Sequence, residues 1–225
     1  MRLILILIFI LLFASCSATH QIDGTEKSGF LGNYSMLKDG GEEQASKRYI
    51  RKGTKWDRYK KIIIPPIEIW AKTDSDLRDM DNDELEALLS LLHATMRKEL
   101  KKNFIIVETP GPDVLTLRAA ITEGQESHPI RDTLSNLTPF GIILTYGKRI
   151  FTGIHNHVGT VSIEIEVVNS MNNERIMAAM DRRAGRKTFD GIFSKWDDMN
   201  DAFQVWSEQL GIRLDKLGAG SGLED

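Results

Sequence analysis

Apolar and polar positions along the chain fall into a few clear periods. From Asp83 to about Lys102, Leu85, Leu88, Leu89, Leu92, Met96 and Leu100 recur at helical spacing. Acids crowd the start of that stretch and Lys101 and Lys102 its end, as the helix dipole favours. A second stripe of Met199, Ala202, Phe203, Trp206, Leu210, Leu214 and Leu217 predicts a helix over 198–217. Period two governs 158–168, where Val161, Ile163, Ile165 and Val167 are expected to face in and Ser162, Glu164 and Glu166 out. Leu115, Leu117, Ala119 and Ile121 likewise share one face of a strand over 114–122. Asn172 and Asn173 predict a turn that pairs 158–168 with 175–182 as a hairpin. Three consecutive isoleucines within 61–70 predict a strand buried on both faces, bent or ended by Pro65 and Pro66. Residues 104–107 read as a further short strand, and 140–151 is apolar with helix preferred over strand. Residues 30–41 read as an irregular segment packed on the surface, and 42–58 shows no clear period. Helices and hairpins alternate with short turns, which predicts a single α+β domain: a mixed, mostly antiparallel sheet with two or three helices packed on it.

The N-terminal end breaks this pattern. Arg2 precedes an unbroken apolar run from Leu3 to Ala14. At ~1.5 Å rise per residue that run spans ~18 Å as a helix, too short for a ~30 Å hydrocarbon core and suited to a signal-peptide h-region. It ends in Leu12-Phe13-Ala14-Ser15-Cys16. This resembles a bacterial lipobox, in which the Cys thiol accepts a diacylglyceryl group and becomes the first mature residue. Phe13 departs from the usual small aliphatic residue. The resemblance implies an acylated Cys16 and, with Ser17 after it, an outer-membrane location facing the periplasm. The expected boundaries are a lipoprotein signal peptide over 1–15, an acylated flexible tether over 16–29, the domain over 30–217 and a flexible tail over 218–225. An extended tether would let the domain stand off the bilayer.

Composition narrows the class without naming a chemistry. The 225 residues are 41% hydrophobic and 27% charged, with formal net charge −3. This excludes a disordered polyelectrolyte and a multi-span membrane protein. The single Cys excludes an internal disulfide framework. Removal of Arg2 with the leader takes the charge to about −4, so nothing draws the chain as a whole to nucleic acid.

Several segments together resemble the lipoprotein family called domain of unknown function 3313. They are Ser28-Gly29-Phe30-Leu31-Gly32-Asn33-Tyr34, Tyr59 through Pro66, the strand from Gly159 to Val168, Met180-Asp181-Arg182-Arg183-Ala184-Gly185, and Trp196-Asp197-Asp198. The resemblance implies a secreted lipoprotein and brings no catalytic residue, ligand or cofactor with it.

Local chemistry offers four candidates. The stretch 47–61 holds eight basic residues and one acid, with aromatics between. Lys47, Arg48, Arg51, Lys52, Lys55, Trp56, Arg58 and Lys60 form a candidate surface for an anion or partner, against a plainer reading as a solvated face. His155 and His157 are two apart and would share one side of an extended chain, a weak metal pair without an evident third ligand. Asp79-Met80-Asp81-Asn82-Asp83 imitates a calcium loop, but Glu84 replaces its turn glycine and helix capping explains it better. Asp181 is expected to pair with Arg183 or Arg186. No nucleophile elbow, glycosidase carboxylate pair or phosphate loop is present. The resulting expectation is a membrane-anchored envelope lipoprotein acting as a non-enzymatic binding or accessory module for an envelope protein or polymer, without a cofactor. The alternative is an envelope enzyme or small-ligand carrier with a site assembled from distant residues. A deep pocket holding buried ionisable groups would favour the alternative.

Overall fold

The computed structural model describes residues 19–41, 44–71, 73, 75–125, 160–185 and 197–220. Among these residues the backbone forms one mixed sheet of nine strands with two long helices on one face. The strands are β1 (Thr19–Gln21), β2 (Lys38–Asp39), β3 (Lys47–Ile50), β4 (Lys61–Ile63), β5 (Glu68–Ile69), β6 (Ile105–Ile106), β7 (Val114–Gln125), β8 (Thr160–Asn169) and β9 (Arg175–Gly185). The helices are α1 (Asn82–Leu100) and α2 (Asp197–Gly218). The α+β class is therefore as the periods predict.

The centre of the sheet is the antiparallel meander β7-β8-β9. Asn173, at φ 55°, turns the chain between β8 and β9, a conformation that asparagine tolerates. Each outer edge of the meander is covered by two short strands in succession. Along β7 these are β4 and β5, both parallel to it. The predicted 61–70 strand is thus two strands, because Pro65 and Pro66 supply no N–H for the ladder. Along β9 they are β3 and β1, both antiparallel. The sheet consequently begins inside the stretch expected to be tether: Thr19, His20 and Gln21 pair with Gly185, Ala184 and Arg183. The domain starts three residues after Cys16, and the stand-off pictured from a loose 16–29 segment does not hold for residues 19–21.

Period two on β8 divides the sheet faces. Val161, Ile163, Ile165 and Val167 join Leu92, Met96 and Leu100 of α1 and Phe203, Trp206 and Leu214 of α2 in the main core. Leu92, Met96, Leu100 and Phe203 are fully enclosed, so truncating any of them forfeits both transfer and packing energy. Asp81 begins α1 without a side-chain capping bond. Gly124 on β7 lies where a Cβ would come within 2.7 Å of Leu77 and of Met199, and Ser75 Oγ both accepts from its N–H and donates to its carbonyl. Gly124→Ala is expected to cost about 1–3 kcal/mol. The check is a lower urea midpoint at unchanged slope; an unaltered midpoint would show that the site can yield.

The second face departs from expectation. Ser162, Glu164 and Glu166 do not meet solvent; all three are buried. Residues 28–37 cross this face as a strap, with Phe30 and Leu31 packed on Ala120, Ala178 and Met180. Glu164 holds the strap by accepting from Ser28 N at 2.8 Å, Leu31 N at 3.3 Å and Tyr34 Oη at 2.8 Å. Arg175 bridges from Glu166 to the carbonyls of Leu31 and Asn33. Phe30 stands edge-on to Trp70 at 5.8 Å and beneath the Arg118 guanidinium at 5.2 Å. Burial, then the hydrogen bond to Glu164, pushes the Tyr34 phenol above its ordinary value of 10.0. Because the folded state holds this proton more tightly, the stability it brings is complete below about pH 10 and is lost as pH rises through the folded pKa. Tyr34→Phe is therefore expected to flatten the alkaline fall in stability. Parallel falls in both proteins would assign that loss elsewhere.

Candidate functional site

Between α2 and the β3 edge lies a cleft of about 790 Å³. Its floor is the helix-facing side of β9, its walls Arg48 and Ile50 of β3 and Val205, Ile212 and Arg213 of α2, with Gln21 and Gln44 at one end. Arg48 reaches it through register. It pairs with Ala179, while the flanking β9 residues Ala178 and Met180 pack in the second-face cluster under the strap.

Two ionisable groups on the floor are buried and already committed. Asp181 is 2% exposed. It accepts from Trp206 Nε1 at 2.7 Å, from Ser46 N and Ser46 Oγ at 3.0 Å each, and from Gln21 Nε2. Arg183 Nη1 stands 3.8 Å from its second oxygen. Arg183 donates through Nε to Thr19 Oγ1 at 2.9 Å. Burial lowers the Arg183 pKa, opposed by Asp181. A carboxylate engaged by this many donors fastens β1, the 44–46 segment, β9 and α2 together and has no lone pair to spare as a general base.

The upper part of the cleft is different. The buried Nη1 of Arg213 has no hydrogen-bond partner among the described residues. Burial first, and then the charge of Arg48, lowers the Arg213 pKa. Lys216 also lines the cleft. Arg48 and the acid Glu208 share the lining with it, and the unmatched N–H is that of Arg213 Nη1. Such an arrangement opposes stability, since a buried donor without an acceptor costs about 1–3 kcal/mol. Arg213→Met is accordingly expected to keep or raise the melting temperature, by a few degrees at most. A clear fall in melting temperature would show that Arg213 serves the fold.

The basic stretch is spread by the fold over several surroundings. Lys47 points to the other sheet face and pairs with Asp39. Arg51 pairs with Glu174. Arg58 donates to the Pro112 carbonyl at 2.8 Å and lies over Tyr59. Trp56 is buried in the main core, and Lys52, Lys55 and Lys60 are exposed. Of the eight, Arg48 alone lines the cleft. Its partner Arg213 was missed, although a signal existed: position 213 falls on the apolar stripe of α2, three after Leu210 and seven after Trp206. Cys16, His155, His157, Trp196, Arg186 and the 140–151 segment lie outside the described residues. Among the described residues, no group of three or more His, Cys, Asp and Glu is placed to hold a metal ion. No described helix is long and apolar enough to cross a membrane.

The described parts of the segments noted for their family likeness now have places: the strap, β4, β8, β9 and, for Asp197 and Asp198, the first turn of α2. A family model described as protein of unknown function, DUF3313, matches residues 26–210. The chain belongs to the DUF3313 family. Comparison with curated proteins gives no match. Among solved structures, this DUF3313 chain is similar to the PelC dodecamer from Paraburkholderia phytofirmans, at 11% identity over 73% of this chain and 94% of that one, with TM-score 0.40. It is similar also to protein XCC0632 from Xanthomonas campestris, at 8% identity over 76% and 93% of the chains, with TM-score 0.42. For the DUF4136 family protein BT2437 from Bacteroides thetaiotaomicron the identity is 8% over 75% and 93%, with TM-score 0.32. Likeness at this level transfers neither a site nor an activity to the DUF3313 chain.

Proposed function

We propose that the protein is an envelope lipoprotein, anchored through Cys16 at the periplasmic face of the outer membrane, that works by binding in the cleft between α2 and β3. The observation that carries the reading is the buried, unpartnered Nη1 of Arg213 beside Arg48 in a cavity of about 790 Å³. A buried N–H without an acceptor among the described residues suits a group whose acceptor arrives with a ligand. The concave, half-open shape favours the ligand-carrier form of the alternative over a flat docking patch. The buried acid, Asp181, is spent on structure, so the cleft offers a grip and no acid–base pair.

The test is photo-cross-linking in intact cells from a reactive side chain at Ile212, which is 57% exposed and lines the cleft. A discrete adduct in membrane fractions, lost in Arg213→Glu, is expected. The binding reading fails if a folded, correctly located protein gives no adduct, or gives the same adduct in Arg213→Glu. Cys16→Ser is expected to release the protein from membranes. If it fractionates as wild type does, the anchor is wrong.

A further inference from the structure

We infer that the end of the sheet farthest from Thr19 is a docking surface for an acidic segment of a partner protein. This surface is separate from the cleft, and the inference stands whether or not the cleft binds a ligand.

Three observations lead to it. First, the fold gathers here basic residues that are far apart in sequence. The link from β3 to β4 crosses this end with Lys52, Lys55, Arg58 and Lys60, all exposed. Helix α1 ends here too, with Arg97, Lys98 and Lys101 exposed. The two groups are tied together where the chain leaves α1, because Ile105 N donates to the Lys60 carbonyl at 3.0 Å. Most acids nearby are already engaged: Asp113 pairs with Lys61, Glu99 with Lys102 and Glu174 with Arg51. Among the described residues, Lys52, Lys55, Arg58, Lys60 and Lys101 form no ion pair, and Asp57 and Glu108 are the unpaired acids left within 52–61 and 97–113. In a chain of net charge −3 this is a local excess of positive charge, and it complements an acidic partner.

Second, two apolar side chains stand at the same end. Ile105 is 62% exposed and Met171, in the turn between β8 and β9, 63%, the highest values among the large apolar residues described. They share one row across the sheet: Ile105 is in register with Lys61, Lys61 with Val114, and the Val114 carbonyl accepts from Ser170 N at 3.2 Å. Three strand spacings, about 14 Å, separate them. Arg58 lies along this row as well, donating to the Pro112 carbonyl at 2.8 Å. Exposed apolar groups rimmed by unpaired cations suit a protein surface that brings both carboxylates and apolar side chains. A polyanionic glycan would match the lysines and leave Ile105 and Met171 in water.

Third, the position does not suit a lipid surface. Thr160 and Thr19 lie side by side against residues 184–185 of β9. From Thr160, β8 runs for 10 residues to Asn169 at the basic end, roughly 30 Å at about 3.3 Å per residue. An acyl group on Cys16 would hold a bilayer at the Thr19 end. At physiological salt the screening length is about 8 Å, so charges this far away are not there to grip the anchoring membrane.

The test places a photoreactive side chain at Ile105, and separately at Met171, of the full chain in intact cells and identifies each adduct by mass spectrometry. Both positions are expected to capture the same protein, and the cross-linked peptide of that protein is expected to carry net negative charge. Lys60→Glu combined with Lys101→Glu, folded by circular dichroism and melting temperature, should lower the yield at least tenfold. Lys38→Glu, which reverses an exposed lysine on β2 at the other edge of the sheet, should leave the yield unchanged. The inference is overturned if neither position gives an adduct in a folded, normally located protein, or if the two positions capture different proteins. It is overturned equally if the captured peptide is not acidic, or if the doubly reversed variant cross-links as wild type does. An adduct with phospholipid or glycan in place of protein would overturn it too. Adducts from position 212 report on the cleft alone, so either reading can fail without the other.

Discussion

Glu164→Ala is expected to release the strap over residues 28–37 and to destabilise the protein by about 3–5 kcal/mol. The side chain is completely enclosed, and it accepts from two backbone amides and the Tyr34 phenol. Alanine would leave those donors without an acceptor under an apolar cover, at about 1–3 kcal/mol for each that water does not reach. Arg175, bound to Glu166, still holds the strap through the carbonyls of Leu31 and Asn33 and keeps the loss from being larger. Glu164→Gln keeps the volume but turns an NH₂ toward a donor, so it should be destabilising as well, by a smaller amount. Since total stability is typically about 5–15 kcal/mol, the alanine change alone should lower the melting temperature markedly. Limited proteolysis offers a direct readout, with new cleavage expected within 28–37 before global unfolding. In a double-mutant cycle, Glu164→Ala and Tyr34→Phe should be less than additive, because they remove the same bond. Full additivity would show that the strap is held by Phe30 and Leu31 alone.

Asp181→Ala is expected to be comparably severe, about 3–5 kcal/mol, for a different reason. Here the loss strands a cation. Arg183, 8% exposed, would keep its bonds to Thr19 and lose the countercharge of Asp181, and an uncompensated buried charge costs several kcal/mol. Trp206 Nε1 and the Ser46 donors would be left unmatched at the same time. Asp181→Asn is the informative companion: it can still accept one bond but carries no charge for Arg183. Chemical denaturation of the three proteins separates the terms. If asparagine is as stable as aspartate, the ion pair is idle and the hydrogen bonds carry the effect. Charge reversal of the pair, Asp181→Arg with Arg183→Asp, should not rescue, because the Trp206 indole needs an acceptor at position 181.

How much of this was legible depended on whether a residue's neighbours are near in sequence. The stripes through Leu92 and Phe203 gave both helices nearly to their ends, since a helix face is a local property. The alternation at Val161–Val167 likewise gave β8 and its inward face. The outward face was misjudged. A polar residue at every second position fits a solvated strand and a strand covered by a polar clamp equally well, and only the strap, some 130 residues away, decides between them at Glu164. Thr19–Gln21 was hidden for the same reason: a three-residue Thr-His-Gln strand has no pattern of its own and exists through its pairing with 183–185. In the cleft, Arg48 was visible as part of a basic run, yet the run itself was scattered by the alternation of β3 and by the turn at 56–58. Arg213 was visible only as a charge intruding on an apolar stripe, which a reading for hydrophobic period passes over.

The pairing of β1 with β9 also fixes when the domain can be completed. The contacts that close the N-terminal end join residues 130 to 164 positions apart, from Ser28, Tyr34 and Thr19 to Glu164 and Arg183. A chain delivered from its N-terminus must therefore hold strand β1 in waiting until nearly the whole sequence has emerged. Once residues 183–185 arrive, Thr19–Gln21 is locked into the sheet. The order of synthesis and the order of assembly thus run in opposite directions here, and Thr19–Gln21, the first strand described, is among the last to find its place.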